Sequence, residues 1–193
     1  MKKMLDLFSG LNGASQAFEA AGWEVVTVDI NPDLNPTITC NIEDLWLTKE
    51  FKSWSKNEFD LIWASPPCVE FYKVSAPWFE EYGNTPSLDL VECAKSIINI
   101  LQPKYWVIEN TKSGMPWIKK ILGQPRQNIN GVYYLWGEYP LFDAKVSQNH
   151  KASNDPGGHD PLRSNKRAKI PLEISRALLD VIENQLDLSK WLN

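Results

Sequence analysis

Short apolar runs alternate with helical patterns along this sequence, and most of the runs end at a turn. Length and β-branched or aromatic content predict buried strands at 4–8, 24–30, 37–42, 59–64, 105–108 and 132–136. Helical spacing or helix-forming composition predicts helices at 14–21, 88–101 and 170–188. This alternation predicts an α/β fold with a mostly parallel sheet and helices on both faces.

Composition limits the class of protein. The chain has 193 residues, enough for one compact domain, and its 43% hydrophobic and 23% charged content is ordinary for a globular protein. A net charge of −4 means that any nucleic-acid contact must rest on a local basic patch. Cys40, Cys68 and Cys93 lack CxxC spacing, so neither a disulfide framework nor a metal site is expected. With no signal peptide or membrane-length run, we expect a cytoplasmic protein.

Polar or reactive residues follow four of the predicted strands. They are Gly10, Asp29, the turn Ser65-Pro66-Pro67-Cys68, and the pair Glu109-Asn110. The carboxyl ends of parallel strands meet at one edge of a sheet, where α/β proteins bind their ligands. We therefore expect these four groups to lie along one edge.

Two of these groups suggest a nucleoside-containing cofactor. Glycines in the loop 6–13 allow a ligand to approach the backbone, and the start of the next helix attracts anionic groups. Asp29 follows about 20 residues later, at the place where an acid accepts hydrogen bonds from ribose hydroxyls.

The other two groups suggest covalent chemistry. Pro66 and Pro67 stiffen the backbone directly after a buried strand and place the Cys68 thiol at the sheet edge, where it can act as a nucleophile. Glu109 can transfer a proton or hydrogen-bond an amidine-like ring edge. Cys40 and Cys93 are instead expected to be core residues.

The segment 143–169 is polar and rich in Gly, Pro, Asn and Lys, and a long loop is predicted there. Its basic run, 163–169, suits either phosphate contact or a solvated surface equally well. His150 and His159 lie in the same segment without metal-ligand spacing and are interpreted as surface residues.

Taken together, these motifs resemble those of the C5-cytosine DNA methyltransferase family, especially its short phage-type members. In family order, the matching segments are DLFSGLNGAS, VDINP, SPPC, IENT and AKIPLEISRAL. The resemblance implies a Rossmann-like AdoMet-dependent methyltransferase fold. It also implies a bacterial cell or a phage-infected host as the setting.

The resemblance also implies residue roles. AdoMet would be bound by Phe8, Ser9, Gly10, Leu11, Asn12, Gly13, Asp29, Ile30, Asn41, Ile42, Ser65 and Pro67. In catalysis Cys68 would attack cytosine C6 and Glu109 would hold the base. Arg126 would contact the substrate; it lies in a segment that only loosely matches the family's Gln-x-Arg-x-Arg motif. The flipped cytosine and its DNA would also be contacted by Pro66, Asn110, Arg163, Lys166 and Arg167.

Departures from the family pattern leave alternatives open. Asn12 replaces a glycine, Asn41 replaces an aspartate, and the Gly-Asn pair near 168 is missing. The chain is interpreted as one catalytic domain, 1–193, in which 143–169 is a short polar and basic excursion in place of a recognition domain. Such a chain methylates C5 of cytosine in DNA, or it uses single-stranded nucleic acid or a free cytosine nucleotide. A third possibility is a weakly catalytic AdoMet- or DNA-binding module that needs a partner.

Finally, loop 69–87 is predicted to be mobile and to close over the target base. Neither a membrane nor a metal is expected as a partner, and the sequence leaves the oligomeric state open.

Overall fold

The computed structural model describes residues 1–73, 85–147 and 162–188. Its strands are β1 (Lys3–Leu7), β2 (Glu24–Asp29), β3 (Ile38–Thr39), β4 (Leu61–Ala64), β5 (Tyr105–Thr111), β6 (Gln127–Ile129) and β7 (Tyr133–Glu138). Its α-helices are α1 (Gln16–Ala20), α2 (Lys49–Ser53), α3 (Val69–Lys73), α4 (Asp89–Leu101), α5 (Met115–Leu122), α6 (Arg163–Ala168) and α7 (Leu172–Leu188). Two 3-10 helices cover Pro32–Leu34 and Ile42–Leu47.

These strands form one sheet in the order β3-β2-β1-β4-β5-β7-β6. The first five are parallel, whereas β7 runs antiparallel to both β5 and β6. Leu7 at the end of β1 pairs with Val28 on one side and with Ala64 on the other. The carboxyl ends of β1, β2 and β4 therefore lie level, and the strand order reverses between β1 and β4, the position at which such sheets bind ligands.

Helices cover both faces of the sheet. On one face Leu5, Leu7 and Ile62 pack with Ile97 and Leu101 of α4. On the other face a second apolar cluster joins the sheet to α1 and α7, through residues that include Met4, Trp63, Phe18, Ile174 and Leu178. The fold is thus the predicted Rossmann-like α/β arrangement, with a mostly parallel sheet between two helical layers.

Several predicted elements change at their ends. The strand expected at 37–42 is shortened to Ile38–Thr39, because Asn41 caps the following 3-10 helix by accepting a hydrogen bond from the Glu43 N–H at 3.2 Å. α2, α3, α5 and β6 were not predicted, and α3 forms a helix at the start of the loop expected at 69–87. β5 extends beyond residue 108, so Glu109 and Asn110 lie inside the strand and do not follow it. Within the described residues, no helix is long and apolar enough to cross a membrane.

The loop expected at 143–169 differs at its two described ends: it has no helix or strand at the first, and a helix forms at the second. In residues 141–147, Phe142, Ala144 and Val146 are buried and the intervening side chains are exposed. The side chains of Gln127 and Asn130 donate hydrogen bonds to the carbonyls of Phe142 and Val146, which holds this segment along β6. The basic run forms α6. His150 and His159 lie outside the described residues.

α7 is anchored to α1 by a buried hydroxyl. The Ser175 Oγ donates to the carbonyl of Ala14 at 2.7 Å and accepts from the N–H of Ala17 at 3.2 Å. These two hydrogen bonds join residues that are 161 and 158 positions apart in the sequence. The end of the described chain thereby fixes the segment that follows β1.

Candidate active site

The loop after β1 has an unusual backbone. Phe8, Gly10 and Asn12 have positive φ angles of 60°, 53° and 54°. Glycine and asparagine accept this left-handed geometry readily, but a bulky residue such as Phe8 is strained in it. Strain of this kind persists only where surrounding contacts impose it, and it is concentrated at functional sites.

One such contact is the Asp29 carboxylate at the end of β2. Its Oδ2 accepts a hydrogen bond from the Gly10 N–H at 2.9 Å, and its Oδ1 accepts from the Asn31 N–H at 2.9 Å. The carboxylate is half-buried, while the next side chain, Ile30, is 67% exposed. An acid at a strand end and an exposed apolar side chain beside it suit a ribose and its attached base.

A buried acid below the loop was missed by the sequence analysis. Asp6 is fully buried in β1 and accepts a hydrogen bond from the Ser15 hydroxyl at 2.6 Å. Burial raises the pKa of Asp6 to about 7. The hydrogen bond from Ser15 lowers this pKa, and the negative charge of Asp29 raises it, but burial is the largest of the three effects. The available signal was a charged residue inside the apolar run MLDLF.

Three buried polar atoms around this loop have no hydrogen-bond partner within the part of the chain that the structure describes. They are Asp6 Oδ1, Ser9 Oγ and Asn12 Oδ1. Buried polar groups in proteins are nearly always paired, so three unpaired ones in β1 and the loop that follows it indicate a place for a polar ligand. Two are acceptors and one is a hydroxyl that can donate.

The junction of α6 and α7 covers the same loop. A Cβ atom on Gly13 would lie 2.5 Å from both the backbone N and O of Ile170, so only glycine fits there. The Asn165 Nδ2 of α6 lies 4.0 Å from the corresponding position on Gly10. The predicted phosphate-binding residues Arg163, Lys166 and Arg167 are exposed on α6, at a spacing that places them on one side of it.

Cys68 lies at the end of β4, next to this loop. The Ser65 N–H donates to the Leu7 carbonyl at 3.2 Å, and the Ser65 Oγ accepts from the Trp63 indole at 2.8 Å. Pro66 is buried and Pro67 is exposed, and the half-buried Cys68 follows. Its carbonyl accepts hydrogen bonds from Phe71 and Tyr72 at 3.1 and 3.3 Å, so α3 begins directly after the cysteine.

Glu109 and Asn110 lie in the last part of β5, the strand next to β4. Glu109 is 7% exposed. Burial of the Tyr133 hydroxyl raises the pKa of Tyr133 to about 12, and the negative charge of Glu109 adds to this effect. Asn110 Nδ2 donates to the Pro66 carbonyl at 2.9 Å, and its Oδ1 accepts from the Thr111 N–H at 2.9 Å. Asn110 therefore holds the Pro-Pro turn.

Gly114 packs against this asparagine, and its replacement by alanine tests the arrangement. A Cβ at Gly114 would lie 2.4 Å from Asn110 Oδ1 and 2.9 Å from the Phe71 ring. We expect Gly114→Ala to cost about 1–3 kcal/mol of stability, because the added methyl group displaces Asn110 and the turn that it holds. Urea denaturation measures this loss.

A control for this variant is Gly123→Ala at the other end of α5. Nothing lies within 4 Å of a Cβ there, although φ is +76°. This control is expected to lose only a little stability. Equal unfolding free energies for Gly114→Ala and the wild-type protein would contradict the close packing of Gly114 against Asn110.

The remaining cysteines are placed in the core, as expected. Burial raises the pKa of the Cys93 thiol to about 11, and burial also raises the pKa of the half-buried Cys40. Both thiols are therefore protonated at neutral pH and poor nucleophiles.

Arg126 lies on the β6 side of the sheet, and its role in catalysis stays a prediction. Its N–H donates to the Leu135 carbonyl at 2.8 Å, and its guanidinium lies 5.6 Å from the centre of the Tyr139 ring. It immediately precedes β6, which is separated from the Glu109 strand by β7. Ile42, a predicted cofactor residue, is 4% exposed with its side chain in the core.

The family model for C-5 cytosine-specific DNA methylase matches residues 2–115, which include the loop after β1, Asp29, Cys68 and Glu109. The chain belongs to this family. The match covers more than half of the chain and ends at the first residue of α5.

Curated relatives are matched over part of their length. The chain is 35% identical over 124 residues to the "Probable DNA (cytosine-5)-methyltransferase" of Frog virus 3 (isolate Goorha), covering 58% of this chain and 55% of that protein. It is 25% identical over 117 residues to "Type II methyltransferase M1.HphI" of Haemophilus parahaemolyticus, covering 55% of this chain and 31% of the relative. This family member thus spans about half the length of the first relative and about a third of the second.

Similar solved structures include a mutant of Spodoptera frugiperda DNMT2, with 20% identity and a TM-score of 0.44 over 73% of this chain and 52% of that one. A SAM-dependent methyltransferase from Archaeoglobus fulgidus has 18% identity and a TM-score of 0.38 over 57% of this chain and 45% of that one.

Proposed function

We propose that this protein transfers a methyl group from AdoMet to C5 of cytosine in DNA, through a covalent bond between Cys68 and cytosine C6. The proposal is supported by Cys68 in the turn after β4 and Glu109 in the last part of the adjacent strand β5, beside a strained glycine loop. Membership of the C-5 cytosine-specific DNA methylase family supports the same chemistry.

The loop after β1 fits the methionine end of AdoMet. Asp6 Oδ1 and Asn12 Oδ1 are buried acceptors of the kind that an ammonium group needs, and the Ser9 hydroxyl can donate to a carboxylate. Asp29 at the end of β2 suits the ribose hydroxyls, and exposed Ile30 suits the adenine. When bound, AdoMet supplies an electrophilic methyl group on its sulfonium.

The chain's own residues then perform the activation. The Cys68 thiolate forms a bond to C6, and the electrons of the C5–C6 double bond make C5 nucleophilic. Glu109 accepts a hydrogen bond from the exocyclic amine and supplies a proton to N3, which neutralises the negative charge that the attack places on the ring. After methyl transfer, loss of the C5 proton returns an electron pair to the ring and the C6–sulfur bond breaks, so Cys68 is regenerated.

For the substrate, we propose that the excursion 143–169 takes the place of a recognition domain. The cations of α6, Arg163, Lys166 and Arg167, support phosphate contact, since all three are exposed near the candidate cofactor loop. Reading by so short a segment implies a short target site. The closing movement of loop 69–87 remains a prediction, because residues 74–84 lie outside the described residues.

Methyl transfer from labelled AdoMet to duplex DNA, single-stranded DNA and dCTP, measured in parallel, tests the proposal. We expect label at C5 of cytosine in duplex DNA, and sequencing of the product then gives the target site. Label only in single-stranded DNA or dCTP would change the substrate class but keep the chemistry. Absence of label despite AdoMet binding would overturn the proposal in favour of a binding module that works with a partner.

A further inference from the structure

A basic surface beside the candidate active site has no part in the chemistry described above. Lys112, in the loop after β5, and Lys119 and Lys120, in α5, form this surface, the α5 patch, and all three side chains are exposed. Residues 110–137 contain these lysines and Arg126 but no aspartate or glutamate, although the whole chain has a net charge of −4. The patch is therefore a local concentration of positive charge in an acidic protein.

The charge of the α5 patch is not neutralised by neighbouring acids. Among the residues that the structure describes, the lysines in ion pairs are Lys2, Lys3 and Lys49, and each pairs with a glutamate. The Lys120 ammonium lies 4.3 Å from the centre of the Trp117 ring, a contact that leaves its charge in place. The patch can therefore attract an anion from outside the protein.

Helix stability explains only part of this arrangement. Lys119 and Lys120 lie in the last turn of α5, where cations interact favourably with the helix dipole. Lys112 instead precedes the first turn of α5, the end at which the dipole disfavours a cation. Its position points to a partner outside the helix.

Lys112 is held close to the turn that carries Cys68. It lies between Asn110, which hydrogen-bonds that turn at 2.9 Å, and Gly114, which packs against α3. The Lys112 carbonyl accepts a hydrogen bond from the Met115 N–H at 3.3 Å, so its backbone belongs to a hydrogen-bonded turn. The α5 patch thus begins at the same edge of the sheet as the candidate nucleophile.

The two basic helices belong to opposite faces of the sheet. α5 packs through Ile118 in the apolar cluster that contains α4, whereas α6 leads into α7, whose Ile174 and Leu178 lie in the other cluster. We infer that the α5 patch contacts phosphates of the DNA backbone beside the target cytosine, on the opposite side of the catalytic edge from α6. The inference rests on the proposed methylation of DNA.

The length and chemistry of the α5 patch suit a nucleic-acid backbone. α5 has eight residues and is about 12 Å long, which corresponds to about three phosphates along one DNA strand. Lysine ammonium groups bind phosphate as point charges and carry no sequence information. The patch would therefore supply affinity and orientation, and leave sequence reading to other residues.

The salt dependence of DNA binding tests this inference. A short fluorescent duplex that contains cytosine is titrated with the full chain at several KCl concentrations, with saturating S-adenosylhomocysteine, and anisotropy gives the affinity. In Lys112→Gln/Lys119→Gln the slope of log affinity against log salt should be shallower than in the wild-type protein by about two, and affinity at low salt should fall about tenfold. Lys120 is left in place because it also contacts the Trp117 ring.

Lys56→Gln/Lys104→Gln is the charge-matched control. Both lysines are exposed and precede β4 and β5, at the sheet edge opposite Cys68. This variant should keep the wild-type slope. An unchanged slope in Lys112→Gln/Lys119→Gln would overturn the inference, as would an equal change in both double variants, which would show an effect of net charge alone. Methyl transfer is assayed separately, so these outcomes leave the proposed function to its own test.

Discussion

Replacement of Cys68 by alanine is expected to reduce methyl transfer to cytosine by more than about a thousandfold, because the proposed reaction at C5 depends on a bond between C6 and the Cys68 thiolate. Cys68 is half-buried at the end of β4, and the Asn110–Pro66 hydrogen bond holds the turn through backbone atoms that alanine retains. The fold and the affinity for AdoMet should therefore be unchanged. Labelled transfer and calorimetric binding measure the two properties on one preparation.

Cys40→Ala is the matched control, because Cys40 is a half-buried thiol whose raised pKa keeps it protonated at neutral pH. It should retain transfer activity. DNA containing 5-fluorocytosine adds a second readout, since fluorine cannot leave C5 as a proton does. The wild-type protein is expected to remain covalently attached to this DNA, and Cys68→Ala is not. Transfer by Cys68→Ala at the wild-type rate would exclude the covalent mechanism.

The stability of the protein should fall as pH rises from 5 to 8, and Asp6→Asn should remove most of that fall. Burial raises the pKa of Asp6 to about 7 from its ordinary value of 3.8. Folding between these values takes up a proton, so the folded state loses stability with increasing pH across this window. The wild-type loss attributable to Asp6 is about 2–3 kcal/mol between pH 5 and pH 8. Urea denaturation at each pH measures it.

The control for this variant is Asp33→Asn, which alters an exposed acid in the first 3-10 helix. It should follow the wild-type curve. Parallel pH profiles for Asp6→Asn and the wild-type protein would show that Asp6 is already ionised at pH 5.

An ammonium group placed beside Asp6 would favour its charged form, so saturating S-adenosylhomocysteine is expected to flatten the wild-type profile.

Long, regular elements of the fold could be predicted from the sequence. β1, β2, β4 and β5 have β-branched or apolar runs, and α4 and α7 have clear helical spacing. β6 has three residues, Gln127–Ile129, and exists because β7 pairs with it, which no local pattern encodes. α5 has only eight residues and contains Pro116 in its first turn, so its spacing is too short to recognise.

For the candidate site, spacing along the chain predicted which residues share an edge but did not predict their partners. Gly10 and Asp29 do meet, and Pro66 meets Asn110. The Asn110 side chain was expected to contact substrate, yet its amide hydrogen-bonds the Pro66 carbonyl across 44 residues. Such a contact depends on which strands become neighbours, and this is decided by packing of the whole sheet.

Gly13 and Ile170 touch so closely that no side chain fits between them, although they are far apart in the sequence. During synthesis from the amino terminus, the loop after β1 can bond to Val28 and Asp29 early, but its Gly13 side stays uncovered until Ile170 has left the ribosome. A nascent chain that stops before Ile170 would have the proposed nucleophile, Cys68, while one side of the proposed cofactor loop is still open.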